Sequence, residues 1–184
     1  VDGASRLWPL WDRLASLVYA DQTAADPREE DLIGRALNLP GGALAQTLIS
    51  RLAGGKPEPG AGLGALELRF TLVARASGES GLLGRVHFAR ALGYLHQTAP
   101  AWAAAEMLPR FQPDHSEALA MWKANSQARA GSAALFNSLK APLLAMIPRP
   151  ELNDHESGNL ATRLLDVLIS RQLGSAEGYE LKPA

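Results

Sequence analysis

The chain has 184 residues, 18 of them basic and 19 acidic, no cysteine, and a hydrophobic share of 47%. That length suits one domain able to bury its own core, and an even charge balance without a block of one sign excludes the broad cationic footprint of a nucleic-acid binder. The missing cysteine excludes disulfides and thiolate zinc sites, and no apolar run approaches the roughly 18 residues of a membrane-spanning helix.

The periodicity is helical almost everywhere. Leu7, Leu10, Trp11, Leu14, Leu17 and Val18 recur at i, i+3, i+4 and i+7 and predict a first amphipathic helix with those residues buried. In ADPREEDLIGRALN, Asp26 is the expected N-cap, Pro27 the first helical position and Glu29 the capping-box partner, with Leu32, Ile33, Ala36 and Leu37 as the buried face. Pro40 ends that helix. The next buries Leu44, Leu48 and Leu52, and Gly54 and Gly55 stop it. Residues 54 to 64, GGKPEPGAGLG, read as a loop and a possible hinge between two helical groups.

Helices resume near residue 65 and break at Gly78. LLGRVHFARALGYLHQ carries Leu82, Val86, Ala89 and Gly93 on one side and Leu83, Leu92 and Leu95 elsewhere, which predicts one central helix packed on several faces. Pro100 opens a helix through Trp102, Ala105 and Leu108 that ends near Phe111. Ala118, Met121 and Trp122 mark another, and Leu135, Leu139, Leu143 and Ile147 the next, with Pro142 inside it. The last is expected from Ser157 to Leu173, with Leu160, Leu164, Leu165, Leu168 and Ile169 inward and Gly174 closing it. No strand or hairpin pattern stands out. The expectation is a single all-α domain over 1–184, an irregular helical array or short solenoid-like stack of eight or nine helices.

Chemistry is harder to find. QPDHSEALAMW (112 to 122) sets Asp114, His115, Ser116 and Glu117 side by side. Neighbours on a helix point about 100° apart, so they cannot act as a relay, and Asp114 with Glu117 reads instead as a capping box. Asn153 and Glu156 repeat that grammar. His87 and His96 leave opposite faces of one predicted helix and cannot share an ion. Gly55-Lys56 lacks the rest of a phosphate loop, since Ser50 and Pro57 stand at its other positions, and Gly60, Gly62 and Ala65 have no strand before them. Arg69, Arg75, Arg85 and Arg90 could form a basic face for nucleic acid, although solvated helix surface is the commoner use of such residues. Trp8, Trp11, Trp102 and Trp122 fall on apolar stripes and read as core. No catalytic, cofactor-binding or metal-ligating residue emerges. The rival reading is an enzyme built from dispersed His87, Glu106, His115 and His155.

RALNLPGGALAQTLI (35 to 49), GLLGRVHFARALGYLHQTAPAW (81 to 102) and LPRFQPDHSEALAMW (108 to 122) carry a resemblance. In order and spacing they are similar to the C-terminal helical domain of unknown function in large bacterial sirtuin-like proteins associated with defence against phage. The matching elements are the Asn-x-Pro-Gly-Gly turn, an arginine-bearing helix ending at Tyr94-Leu95, Pro100 to Trp102, Leu108 to Phe111, and Glu117 through Trp122. The resemblance spans roughly residues 5 to 173. It implies a non-catalytic interaction or sensor module whose parent cleaves nicotinamide adenine dinucleotide through a separate N-terminal domain, with no catalytic residue here. The expected partner is a protein: a subunit, a domain of the parent chain or a phage component. A start at Val1 fits a piece of such a larger protein, and the expected location is cytoplasmic, with no membrane partner and no cofactor.

Overall fold

The computed structural model describes residues 4–29, 31–128, 131–172 and 179. Among them are ten α-helices and no strand: α1 (Ala4–Val18), α2 (Leu32–Asn38), α3 (Pro40–Gly54), α4 (Glu67–Arg75), α5 (Gly78–Arg90), α6 (Leu92–Thr98), α7 (Pro100–Glu106), α8 (Ala118–Asn125), α9 (Ala133–Met146) and α10 (Asp154–Gln172). Short 3-10 turns at Gly64–Leu66 and Leu108–Phe111 lead into α4 and out of α7. The result is an irregular all-α array, as the periodicity predicts. The expected positions of Leu173 and Gly174, like that of Val1, lie outside the described residues.

The count exceeds eight or nine because the predicted central helix is two. Ala91 leaves helical geometry at φ −95°, ψ 10° and separates α5 from α6. The cause comes from another helix. In an unbroken helix the carbonyl of Ala89 would bond to the N–H of Gly93, and here it accepts from Asn125 Nδ2 on α8 at 2.7 Å. A side chain inserted into the ladder breaks it.

α5 is the centre of the fold. It packs against α2, α3, α4 and α8, and every residue from Gly81 to Ala89 is buried. Close approach to α3 and to α4 needs glycine. A Cβ on Gly41 would lie 2.5 Å from the Ser80 carbonyl oxygen, and one on Gly84 would lie 2.4 Å from Val73 Cγ1. Around this helix Phe70 and Phe88 stack at 5.0 Å, with Trp102 edge-on to both. A second aromatic pair, Phe111 and Trp122, meets edge-on at 5.1 Å. Trp11, Trp102 and Trp122 are core, as expected, and each indole N–H has an acceptor: Leu44 O, Thr71 Oγ1 and Phe111 O.

Three helices differ from their sequence reading. α1 buries Trp11, Ala15 and Tyr19, while Leu10, Leu14 and Leu17 face outward. Small Ala15 lets the helix approach α3, where Trp11 Nε1 and Tyr19 Oη donate to the carbonyls of Leu44 and Gly41. α2 starts at Leu32 rather than after Asp26. Asp26 forms a local turn, accepting from Arg28 N at 2.9 Å, and Glu29 pairs with Arg35 instead of capping. Leu37 is exposed. α10 starts at Asp154, three residues early, and buries Leu160, Arg163 and Val167, while Leu165, Leu168 and Ile169 lie outside.

α3 does end at Gly54, but the left-handed position after it is Lys56 at φ 47°. The glycine-rich segment that follows is tied down. Gly60 N donates to Gln97 O and Gly62 N to Thr98 O, each at 2.8 Å, closing the last carbonyls of α6. Leu63 is buried beneath it. Hinge motion over 54–64 has to break both bonds.

Candidate functional site

The polar cluster at 112 to 117 is a turn between helices, yet its capping box does not form. α8 begins at Ala118 with no side-chain cap, and Asp114 is exposed. The Glu117 N–H donates to His115 Nδ1 at 3.1 Å. The Glu117 carboxylate faces inward, where Arg85 Nε donates to it at 2.8 Å and Arg110 Nη1 at 3.2 Å. Both arginines also bind the C-terminal end of α4: Arg110 Nη2 donates to Ala74 O at 2.7 Å, and Arg85 Nη1 donates to Ala76 O. Two cations therefore close a helix end, where the dipole is negative; the Glu117 carboxylate pairs with both, and Glu106 adds a second negative charge near Arg110. Burial by itself would raise the Glu117 carboxyl, but the hydrogen bond and charge of Arg85, helped by Arg110, outweigh it and hold the carboxyl below its usual range. All of these groups are engaged with one another, so the network locks helices together.

Of the dispersed residues of the enzyme reading, His87 and His155 line different clefts. His87 is buried and its Nε2 lies 2.8 Å from Ala36 O. Burial, with the nearby charge of Arg90, lowers its pKa despite that bond. Glu106 is held by Arg75, His115 lies beside Glu117, and His155 Nε2 lies 3.3 Å from Asn159 Nδ2 on α10. His87 lines a cleft of about 480 Å³ with Ile33, Leu37 and Arg90; His155 lines a different one, with Arg163. Among the described residues no three His, Asp or Glu side chains are grouped to hold a metal. His96 lies on α6, beyond the break at Ala91.

The four arginines do not make one cationic face. Arg69 forms a two-pronged bond to Asp12 at 2.7 Å and lies 4.6 Å from the Trp8 ring centre. Arg75 is paired with Glu106, and Arg85 is buried with Glu117. Arg90, which lines an open cleft with His87, has no carboxylate partner among the described residues. Three of the four charges thus meet carboxylates inside the molecule.

What the surface does offer is apolar. Leu10, Leu14 and Leu17 are 56%, 43% and 68% exposed, at i, i+4 and i+7 of α1. On a helical wheel they fall within about 60° of one another, nearly opposite Tyr19 and the Asp12–Arg69 contact. Single exposed leucines are ordinary, but a stripe of them on a helix already buried along its other side is not. Exposed Arg13 flanks it. A second strip, Leu165, Leu168 and Ile169, lies on α10. The sequence signal for the α1 surface was present: the apolar residues of 7 to 19 cover more than one face of the helix.

Compared with family models, with curated proteins and with solved structures, the chain finds no match.

Proposed function

We propose that this chain is a non-catalytic helical interaction module that binds a protein through the outer face of α1. The observation that carries the reading is the Leu10–Leu14–Leu17 stripe, because a helix apolar on both sides is packed on both sides in its working state. The occupant is an apolar-faced helix of a partner. Its ridges match the i, i+4, i+7 spacing of the stripe, and an acidic side chain on its flank would meet Arg13. The resemblance of residues 35 to 49, 81 to 102 and 108 to 122 supports assigning the module to a large bacterial sirtuin-like defence protein, whose cleavage of nicotinamide adenine dinucleotide belongs to a different domain. The fully paired Arg85–Glu117–Arg110 network favours a structural over a catalytic role for those three residues.

The experiment compares the chain with its Leu14→Glu, Leu17→Glu variant. Light scattering over a wide concentration range reports self-association. Capture from cells of the source, followed by reconstitution with each purified partner, reports heterologous binding. The reading expects one purified protein to bind at least about tenfold more weakly to the variant, the loss of two buried leucine contacts. Equal binding to wild type and variant, or deletion of the region from the parent protein without loss of phage defence, overturns it.

A further inference from the structure

Two arginines are deeply buried, and the fold treats them differently. Arg85 is met by the Glu117 carboxylate. Arg163, 5% exposed on the inner side of α10, takes part in no ion pair among the described residues. Its Nη1 donates to Asn125 Oδ1 at 2.8 Å and its Nη2 to Asn125 O at 2.5 Å, while its Nε has no partner. Those carbonyl oxygens lie at the C-terminal end of α8, whose dipole offsets only about half a unit charge. Removing a cation from water without a counter-charge is costly, and burial pushes the Arg163 pKa down to about 10.

Arg163 is also one of the residues that line an open cleft of about 490 Å³ between the end of α8 and the face of α10. Apart from Ala128, the other walls are polar: Ser126, Gln127, His155, Asn159 and Thr162 offer hydroxyl, amide and imidazole groups. Asp166, one turn after Arg163 on α10, is the one carboxylate among the described lining residues. We propose that this cleft binds a small organic oxyanion, a carboxylate or a phosphate ester, with Arg163 as its charge partner and the surrounding amides and hydroxyls fixing its orientation. The volume suits a metabolite rather than a chain. Asp166 restricts the ligand to a single negative charge, or to a molecule that also carries an amine. The site lies on α8 and α10 and does not depend on the α1 surface.

The test is an NMR titration of the full chain with sodium acetate and, separately, with inorganic phosphate, each against sodium chloride at matched ionic strength. The expected result is saturable shifts confined to residues 126–128 and 155–166; saturation by acetate assigns the carboxylate class, and by phosphate the phosphate-ester class. Arg163→Lys weakens the binding by about tenfold, the loss of a planar fork. Because Arg163 also closes α8, a second variant is needed that leaves the core untouched. Asp166→Asn, at an exposed position, tightens the same anion by about threefold through removal of one like charge. Shifts that track chloride, or an affinity unchanged in Asp166→Asn, overturn the proposal.

Discussion

Asn125 holds Arg163 twice, once through its side-chain oxygen at 2.8 Å from Nη1 and once through its backbone carbonyl at 2.5 Å from Nη2. The other end of the same amide donates to Ala89 O at the break between α5 and α6. One buried side chain therefore joins α10 to α8, and α8 to the central helix. α10 is attached to the central helix partly through this contact.

Asn125→Ala removes both side-chain bonds and leaves the guanidinium and the Ala89 carbonyl unsatisfied. A hydrogen bond to a charged group contributes about 1.5–3 kcal/mol and a neutral one about 1, so the variant loses about 3 kcal/mol. Urea denaturation at neutral pH measures this through the midpoint at constant slope. A loss under about 1 kcal/mol would show that the amide does not bridge the helices as described.

Glu117 and Glu156 stand in the same local grammar and differ in what their replacement costs. Glu156 accepts from Asn153 N, and Glu156 N donates to Asn153 Oδ1, both at 2.9 Å, a complete capping box at the start of α10. Glu156→Gln keeps an acceptor and costs less than about 1 kcal/mol. Glu117→Gln leaves buried Arg85 without a counter-charge and Arg110 with only the charge of Glu106, and costs about 3–5 kcal/mol. Denaturation of the two variants side by side separates them.

That contrast marks where the sequence is legible. Periodicity located the helices because burial against neighbours repeats with the helical turn, and Pro40, Pro100 and the Asn153–Glu156 pair set boundaries by local chemistry that needs no tertiary partner. Glu117 was unreadable because its partners Arg85 and Arg110 come from elsewhere, Arg85 from 32 residues away. The break at Ala91 was hidden for the same reason, since Asn125 causes it. On α1 and α10 the helices were legible but their buried sides were not. Leucine is equally apolar on either face, and only the approach of α3 to Ala15, or the carbonyls waiting for Arg163, decides which side turns in.

His87 makes stability depend on pH near neutrality. Its folded pKa lies below the ordinary value of 6.5, chiefly through burial, and His96 is lowered by burial too. The unfolded chain therefore binds more protons than the folded one as pH falls below 6.5. The stabilisation is complete above that value and is lost on the way down through the folded pKa. His87→Gln keeps an N–H donor for Ala36 O but cannot titrate, so its unfolding free energy varies less steeply between pH 7.5 and 5.5. Equal slopes in wild type and variant would place the proton uptake at another residue.

The two sides of α1 differ most sharply in what substitution does. Trp11 is buried against α3 and donates to Leu44 O at 3.1 Å, so Trp11→Ala opens a cavity and removes a hydrogen bond, at a cost of about 3–5 kcal/mol. Leu14, one turn further on and facing out, touches too little protein for its loss to matter. Leu14→Glu changes stability by no more than about 0.5 kcal/mol. A residue whose replacement is silent in denaturation but weakens binding to a purified partner is held on the surface by the interaction and not by the fold. Thermal melts of Trp11→Ala and Leu14→Glu beside the binding assay read both quantities, and a strongly destabilised Leu14→Glu would mean that the outer face of α1 is already covered by this chain itself.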